Sequence, residues 1–198
     1  MPRVHIESET EVRTEVANSL VGIRLDSTDR KVIVQAKSDG LTVSRLAPYG
    51  TWDELIGLVR GLWPRYLEVF SPAAVVRLGA RYINRIPLGA EPIDLDTVLT
   101  AGPKIPGGLP QMVDQFLTRV VVPIDQLRAM VAITQTMERT VGPSGDLASS
   151  LLMDIDAFSE STHDVNDPEI WETLGRLREA KNMAFFESLH RPIWERFK

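Results

Sequence analysis

The sequence contains no cysteine, and this absence excludes several kinds of chemistry at once. Without a thiol the chain has no disulfide, no thiolate nucleophile and no cysteine-ligated metal, and nothing in it indicates an oxidising compartment. No apolar run approaches the roughly 20 residues that cross a bilayer. The charged opening MPRVHIESETEVRTEV also lacks the apolar stretch of a secretory signal. We therefore expect a cytoplasmic protein with no membrane contact.

Phosphate-binding loops and stacking aromatics are missing as well. The glycine-containing segments PGGLP and VGPSG match neither G-x-x-x-x-G-K nor G-x-G-x-x-G, so nucleotide hydrolysis and Rossmann-type cofactor binding are not supported. Aromatic residues make up 7% of the chain, and none is expected on an open sheet face, where single-stranded nucleic acid would stack. The formal net charge of -5 also argues against binding to the negatively charged backbone of a nucleic acid. We expect no cofactor and no nucleic-acid partner.

What is present is the composition of a globular protein. The chain has 198 residues, of which 43% are hydrophobic and 25% charged, enough for one sizeable core and short for two. Residues 1–18 follow no clean period and are predicted to form an N-terminal arm. Residues 19–198 are predicted to form a single α+β domain.

The pattern along the chain alternates strand segments with two helices. SLVGIRLDS is predicted to be a strand and KVIVQAKSDGLTVSRL a hairpin. The helix TWDELIGLVRGLWPRYLEVF follows, because Thr51 and Glu54 form a capping box at its start. Four more strands are predicted in AAVVRLGARYINRI, QFLTRVVVPI, AMVAITQTM and SSLLMDIDAF. The last helix is expected to begin at a cap on Asn166 or Asp167 and to end at Pro192.

This order predicts an α+β fold built on a single antiparallel sheet. The sheet would have about six to seven strands, because strand runs joined by hairpins favour antiparallel pairing. The two long amphipathic helices would pack together on one of its faces. Residues 87–111, rich in proline and glycine, form a long connection of the kind that is often functional.

The segment RLGARYINRIPL raises the main functional question, because it sets three arginines at intervals of four in an apolar run. Alternate residues of a strand share a face, so Arg77, Arg81 and Arg85 are expected to point away from the core. Gly79 and Ile83 share the face of the arginines. The residues assigned to the core are Val76, Leu78, Ala80, Tyr82 and Ile86. The same alternation puts further polar residues on the outward face of neighbouring strands, namely Arg119, Thr134, Thr136, Glu138, Asp154 and Asp156.

Three interpretations of this polar face stay open. It could be a solvated surface with cross-strand ion pairs, each contributing about 0 to 1 kcal/mol. It could contact a protein partner or a second copy of the chain, since arginine is enriched in interfaces. It could instead bind an anionic small molecule or nucleic acid, although arginines spread over about 26 Å of strand are too dispersed to surround one phosphate. The candidate contact residues are Arg77, Arg81, Arg85, Arg119, Asp154 and Asp156.

Metal and nucleophile patterns are weak in this sequence. Two D-x-D pairs occur, at residues 94–96 and 154–156, and His163 follows the second, but no ligand spacing supports a metal site. Asp94 is expected instead to begin a helical turn. Ser161, His163 and Asp164 lie close in sequence, yet no G-x-S-x-G elbow exposes the serine. We therefore predict no catalytic residue and no metal.

Four segments, VSRLAPYGTWDEL, RLGARYINRI, IPGGLPQ and LLMDIDAF, occur in this order. With them the chain resembles a sporadically distributed family of bacterial and phage proteins that has no established activity. Such a distribution implies an accessory role in a mobile-element or conflict system, by analogy only. From the residues and this resemblance we expect a non-enzymatic module that binds a protein partner or another copy of itself. The alternative is an enzyme or small anionic-ligand receptor that uses Arg81, Arg85, Asp154 and Asp156 beside the 87–111 connection.

Overall fold

A computed structural model of the chain describes residues 22–89, 94–111, 113–141 and 147–195. The chain divides into two compact units, Met1–Pro72 and Ala73–Lys198. The predicted arm at residues 1–18 lies outside the described residues and stays a prediction. The expectation of a single domain over residues 19–198 also stays a prediction.

The first unit is a three-stranded antiparallel meander followed by one helix. Its strands are β1 (Gly22–Asp26), β2 (Val32–Lys37) and β3 (Gly40–Arg45), paired in the order β1-β2-β3. The helix α1 (Trp52–Phe70) begins with the predicted capping box, in which the Thr51 hydroxyl accepts a hydrogen bond from the Glu54 amide at 3.2 Å. Tyr66 is the one buried residue among the described residues of this unit, and its hydroxyl donates to the Lys37 carbonyl at 3.0 Å.

The second unit contains a four-stranded antiparallel sheet. Its strands are β4 (Leu78–Gly89), β5 (Leu117–Ile124), β6 (Ala129–Val141) and β7 (Leu147–Ser159), in the spatial order β4-β7-β6-β5. The long helix α2 (Glu169–Ser188) packs against β4, β7 and β6, and a short helix α3 (Arg191–Trp194) follows. Helix α2 therefore ends before Pro192, the residue that the sequence predicts as its stop. None of the helices in the described ranges is both long enough and apolar enough to cross a membrane.

The core of the second unit lies between this sheet and α2. Strand β7 is the central contributor, since four alternating side chains of this strand are completely buried, Leu151, Met153, Ile155 and Ala157. Leu177 and Ala180 of α2 are buried to the same extent. This inward row is the one that the alternation in SSLLMDIDAF predicts.

The α+β class, the antiparallel pairing and the strand segments are confirmed, but the prediction of one sheet is wrong. The described residues form a three-stranded and a four-stranded sheet, and each of the two long helices belongs to a different unit. Alternation of apolar and polar residues determines which face of a strand is buried, and hairpins determine which consecutive strands pair. Neither determines whether strands that are separated by a helix join the same sheet.

The start of β4 also differs from the sequence prediction. The strand begins at Leu78, so that Val76 and Arg77 precede it. Val76, which strand phase assigned to the core, is 63% exposed. Its neighbour Val75 is buried and forms an isolated bridge with His163, with Val75 N to His163 O at 3.0 Å. The alternation therefore breaks at the boundary of the strand.

Candidate functional site

The candidate site is the face of the four-stranded sheet opposite α2, which we call the outer face. In β4 the side chains of Arg81, Ile83 and Arg85 are exposed, whereas those of Ala80 and Ile86 are buried. This pattern confirms the predicted strand phase from residue 78 onward. Because α2 covers the inner row, the outer row is available for contacts within the sheet or beyond the molecule.

Arg81 forms a two-pronged ion pair with Asp154. Its Nε donates to Oδ1 at 2.8 Å and its Nη2 donates to Oδ2. In the register of the sheet, Asp156 is the residue directly opposite Arg81, and Asp154 is opposite Ile83, so the pair is diagonal. The hydrogen bonds to Asp154 raise the pKa of Arg81 above its usual value. Two of the five N–H donors of this guanidinium are thus used within the sheet.

Arg77 reaches the outer face although it precedes β4. Its Nη2 donates to Asp156 Oδ2 at 2.8 Å, and its guanidinium carbon lies 4.8 Å from the centroid of the Phe158 ring. Gly79 lies between the two arginines on this face, and a Cβ added there would be 3.1 Å from Arg77 Nη1. The missing side chain at Gly79 thus leaves the space along which Arg77 extends to its carboxylate.

Arg85 pairs with Glu138, which lies two strands away. The distance between Arg85 Nη2 and Glu138 Oε2 is 3.0 Å. Arg85 belongs to β4 and Glu138 to β6, so their side chains meet across the intervening strand β7. The sequence predicts that Glu138 lies on the polar face of its strand. It does not show that a side chain of β4 reaches β6, so it does not identify Glu138 as a contact residue.

Arg119 is the one predicted candidate that the structure does not bring into a pair. It lies on β5 opposite Thr134, which is opposite Asp154 on the next strand. Within the described ranges it has no ion-pair partner. The three other arginines are matched by three carboxylates, so the paired part of the outer face is electrically balanced.

Exposed apolar side chains lie among these ion pairs. Ile83 on β4 is 60% exposed, and on the edge strand β5 Val121 and Leu117 are 41% and 72% exposed. All three occupy outward positions in the register. No other strand of the described residues pairs with the second edge of β5. The outer face therefore combines ordered charges with apolar area that water still contacts.

On the face of the sheet that α2 covers, Lys181 of α2 packs on Tyr82 of β4. The Lys181 Nζ lies 3.7 Å from the centroid of the Tyr82 ring, and both residues are partly buried. Burial, with a smaller contribution from the charge of Arg178, lowers the pKa of Lys181 to about 8. The sequence predicts Tyr82 to face the core but gives no sign of this contact.

The residues Ser161, His163 and Asp164, which lie close in sequence, are not arranged as a catalytic triad in the structure. The hydroxyls of Ser161 and Ser159 share a hydrogen bond at 3.2 Å, and Asp164 Oδ1 accepts from the Asn166 amide. His163 is buried and lies near Asp167, a residue that sequence reasoning considered only as a helix cap.

The long connection is anchored by its described part. Asp94 begins a short 3₁₀ turn at Leu95–Thr97, as predicted. Val98 and Leu99 are buried, and Leu99 forms a bridge with Leu189 at the end of α2. The contact between Leu99 and Leu189 holds the connection at the end of α2. The ligand-receptor alternative needs the connection to lie beside Arg81 and Arg85.

Comparison of the chain with protein-family models, with curated proteins and with solved structures finds no match. The resemblance to the bacterial and phage family therefore stays a prediction.

Proposed function

We propose that this protein is a non-enzymatic interaction module that binds a protein partner, or a second copy of itself, through the outer face of its four-stranded sheet. The observation that carries the proposal is the combination on that face of exposed apolar side chains, Ile83, Val121 and Leu117, with arginines held in fixed positions by carboxylates. Protein interfaces characteristically combine apolar contact area with arginine.

The ion pairs favour a protein surface as the partner because they order the arginine side chains before binding. A free arginine loses much rotational freedom when it is immobilised in an interface, at a cost of about 0.5–1.5 kcal/mol for such a side chain. The fork of Arg81 is already oriented by Asp154. Backbone carbonyls and carboxylates of a partner would meet a pattern of alternating charges, which supports specificity of docking.

The alternative, an enzyme or a small anionic-ligand receptor on the same face, has weaker support. The charges of three candidate arginines are already balanced by Asp154, Asp156 and Glu138, which weakens the attraction of this face for a small anion. Among the candidate arginines only Arg119 has no carboxylate partner within the described ranges, and one guanidinium on an edge strand provides few of the donors that enclose an anion.

The proposal extends to the setting in which the module works. We place it in the cytoplasm, as an accessory protein of a mobile-element or conflict system. The support for this role is the resemblance carried by the RYINRI and IPGGLPQ segments.

The test uses two outer-face variants and one control in the full-length chain. Arg81→Glu places a negative charge beside Asp154, and Ile83→Asp removes exposed apolar area; both should abolish self-association or partner capture. Both substitutions place a carboxylate beside Asp154, which lowers stability somewhat, so the thermal midpoint is measured for each variant and should still show one cooperative transition. Val69→Asp is the matched control, because Val69 is exposed on α1.

Sedimentation velocity measures self-association, and capture on the immobilised chain from a lysate of its native host, with and without Arg81→Glu, measures partner binding. A wild-type chain that is monomeric and captures no protein would contradict the proposal. So would a complex that survives both outer-face substitutions.

A further inference from the structure

His163 lies in the connection between β7 and α2, and its backbone is firmly held there. Its amide donates to the Val75 carbonyl at 2.9 Å, and its carbonyl accepts from the Val75 amide at 3.0 Å. The imidazole is directed into the protein, with only 6% of the side chain exposed. A titratable side chain is thereby fixed at one buried position.

The ring nitrogens of His163 lack the hydrogen bonds that a buried imidazole normally makes. Nε2 is buried and has no hydrogen-bond partner within the described part of the chain. Nδ1 lies 3.5 Å from Asp167 Oδ2, which is longer than an N–H···O hydrogen bond of about 2.7–3.2 Å. Buried polar atoms are nearly always paired, so Nδ1, which faces Asp167 Oδ2 beyond hydrogen-bond distance, is a candidate ligand atom.

Two carboxylates converge on the same imidazole. Asp167 accepts a hydrogen bond from the Glu169 amide through Oδ1 at 2.8 Å, which leaves Oδ2 directed toward His163. One ligand atom from each of His163, Asp167 and Glu169 lies within 4.8 Å of the other two. Glu169 is oriented from its other side by Arg176, whose Nη2 is 3.3 Å from Oε1.

The distance between His163 Nδ1 and Asp167 Oδ2 is also the distance expected between two ligands of one metal ion. Two ligands each about 2.0–2.2 Å from a tetrahedral ion are about 3.3–3.6 Å apart, which is the range of the distance between Nδ1 and Oδ2. The ligand atom of Glu169 lies within 4.8 Å of the other two and has to move closer to complete the set. Glu169 is partly exposed, so its side chain has room to move.

We propose that His163, Asp167 and Glu169 form a binding site for one divalent transition-metal ion, with Zn²⁺ as the ion that best matches the ligands. Imidazole favours zinc over magnesium or calcium, and carboxylate oxygens are common zinc ligands. Three protein ligands leave a further coordination position for water or for a group from a partner. This site is independent of the outer face and of the interaction proposed for it.

The position of the site gives the ion a structural task. His163 is joined by backbone hydrogen bonds to the segment before β4, while Asp167 and Glu169 stand at the start of α2. An ion shared by the three side chains would link the first turn of α2 to the connection that follows β7. Binding would then stabilise the folded chain in proportion to the ion concentration.

The test begins with the full-length chain freed of metal by a chelator and titrated with Zn²⁺ by calorimetry. We expect one ion per chain, with a Kd on the order of 10 µM or lower, and a thermal midpoint that rises with Zn²⁺ concentration. Co²⁺ provides a second readout, because its ligand-field absorption reports the donor atoms and the coordination number directly.

Three ligand variants and two controls complete the design. His163→Gln, Asp167→Asn and Glu169→Gln should each weaken binding by at least about 10–100-fold, the loss that even outer-shell substitutions cause. Asp167→Asn keeps an oxygen that can accept from the Glu169 amide, so the helix start is preserved. His190→Gln and Glu172→Gln are controls of the same residue types at exposed positions, and we expect them to bind as the unsubstituted chain does.

Failure of the unsubstituted chain to bind Zn²⁺ would overturn the proposal. So would binding by Asp167→Asn and Glu169→Gln that is as tight as binding by the unsubstituted chain. These two positions are only partly buried, so the result does not depend on whether the chain tolerates a substitution at His163. Binding that is lost equally in the Glu172→Gln control would also overturn it, because it would reflect general attraction to acidic residues.

Discussion

Lys181 is subject to two opposing effects. Its partial burial on α2 removes water from the amine and favours the neutral form, which lowers the pKa to about 8. The face of the Tyr82 ring, 3.7 Å from Nζ, favours the charged form through a cation–π interaction. The protonation of this one side chain therefore depends on how tightly α2 and β4 pack.

The lowered pKa makes stability depend on pH in a defined window. Below a pH of about 8 the amine is protonated in both states, and above its ordinary pKa of 10.5 it is neutral in both. Between these values the unfolded chain holds a proton that the folded chain has lost, so the free energy of unfolding rises with pH. We expect urea unfolding at several pH values to show this rise in the wild-type chain relative to Lys181→Met.

A falling or level difference between the two chains across that window would contradict the assignment. A second substitution distinguishes the effect of the Tyr82 ring on the pKa of Lys181 from the effect of burial. Tyr82→Leu keeps an apolar contact but removes the π face, so the pKa of Lys181 should fall further. The pKa is measured directly by following the Lys181 side-chain resonances by NMR as pH is raised.

At the scale of the element, β7 organises the outer face. It supplies Asp154 to Arg81 and Asp156 to Arg77, and it separates Arg85 from Glu138. The same strand buries its alternate side chains completely on the other face. A one-residue slip of β7 would turn its carboxylates inward and its apolar row outward, so the two faces together fix its register.

The pairs on the outer face should differ in strength. Asp154 is 20% exposed and binds Arg81 through two hydrogen bonds, whereas Glu138 is 42% exposed and meets Arg85 at one distance of 3.0 Å. Double-mutant cycles with alanine, followed by urea unfolding, should give a coupling of about 0.2–1 kcal/mol for Arg85 and Glu138. The coupling of Arg81 with Asp154 should be larger, because two-pronged pairs are stronger. Equal or reversed couplings would show that the two-pronged geometry adds no stability.

The sequence predicted what is encoded locally. The capping box at Thr51, the arginine phase from Arg81 onward and the buried row of β7 each depend on residues a few positions apart. The partner of Arg85 could not be predicted, since Glu138 comes within reach only through the strand order β4-β7-β6. The burial of His163 was missed for a related reason, because it depends on a bridge to Val75, far away in the sequence.

At the scale of the whole molecule, the two units differ in how much core they possess. Among its described residues, the second unit has seven large side chains that are almost fully buried, Val131, Leu99, Leu151, Met153, Ile155, Leu177 and Leu189. In the first unit, among the residues described there, only Tyr66 is buried. Stability rises with the apolar area that a fold removes from water, so the second unit has the larger capacity to fold by itself.

We therefore expect a fragment of residues 73–198 to unfold cooperatively, and a fragment of residues 1–72 to show no cooperative transition. Near-ultraviolet circular dichroism during heating measures both, because each fragment contains two tryptophans. The expectation of one domain over residues 19–198 makes a different prediction, namely that neither fragment folds. A cooperative transition in the shorter fragment would contradict our estimate of its core.

The strand order also determines what happens while the protein is being made. β4 is the first strand of its sheet to leave the ribosome, but its neighbour β7 is the last, with β5 and β6 synthesised between them. At about 5–20 residues per second, β4 waits on the order of several seconds for its partner. During that time Arg77, Arg81 and Arg85 have no carboxylates of β6 or β7 beside them. We expect these like charges to repel the same strand of other nascent chains and so to reduce aggregation of β4 before its ion pairs form in the finished sheet.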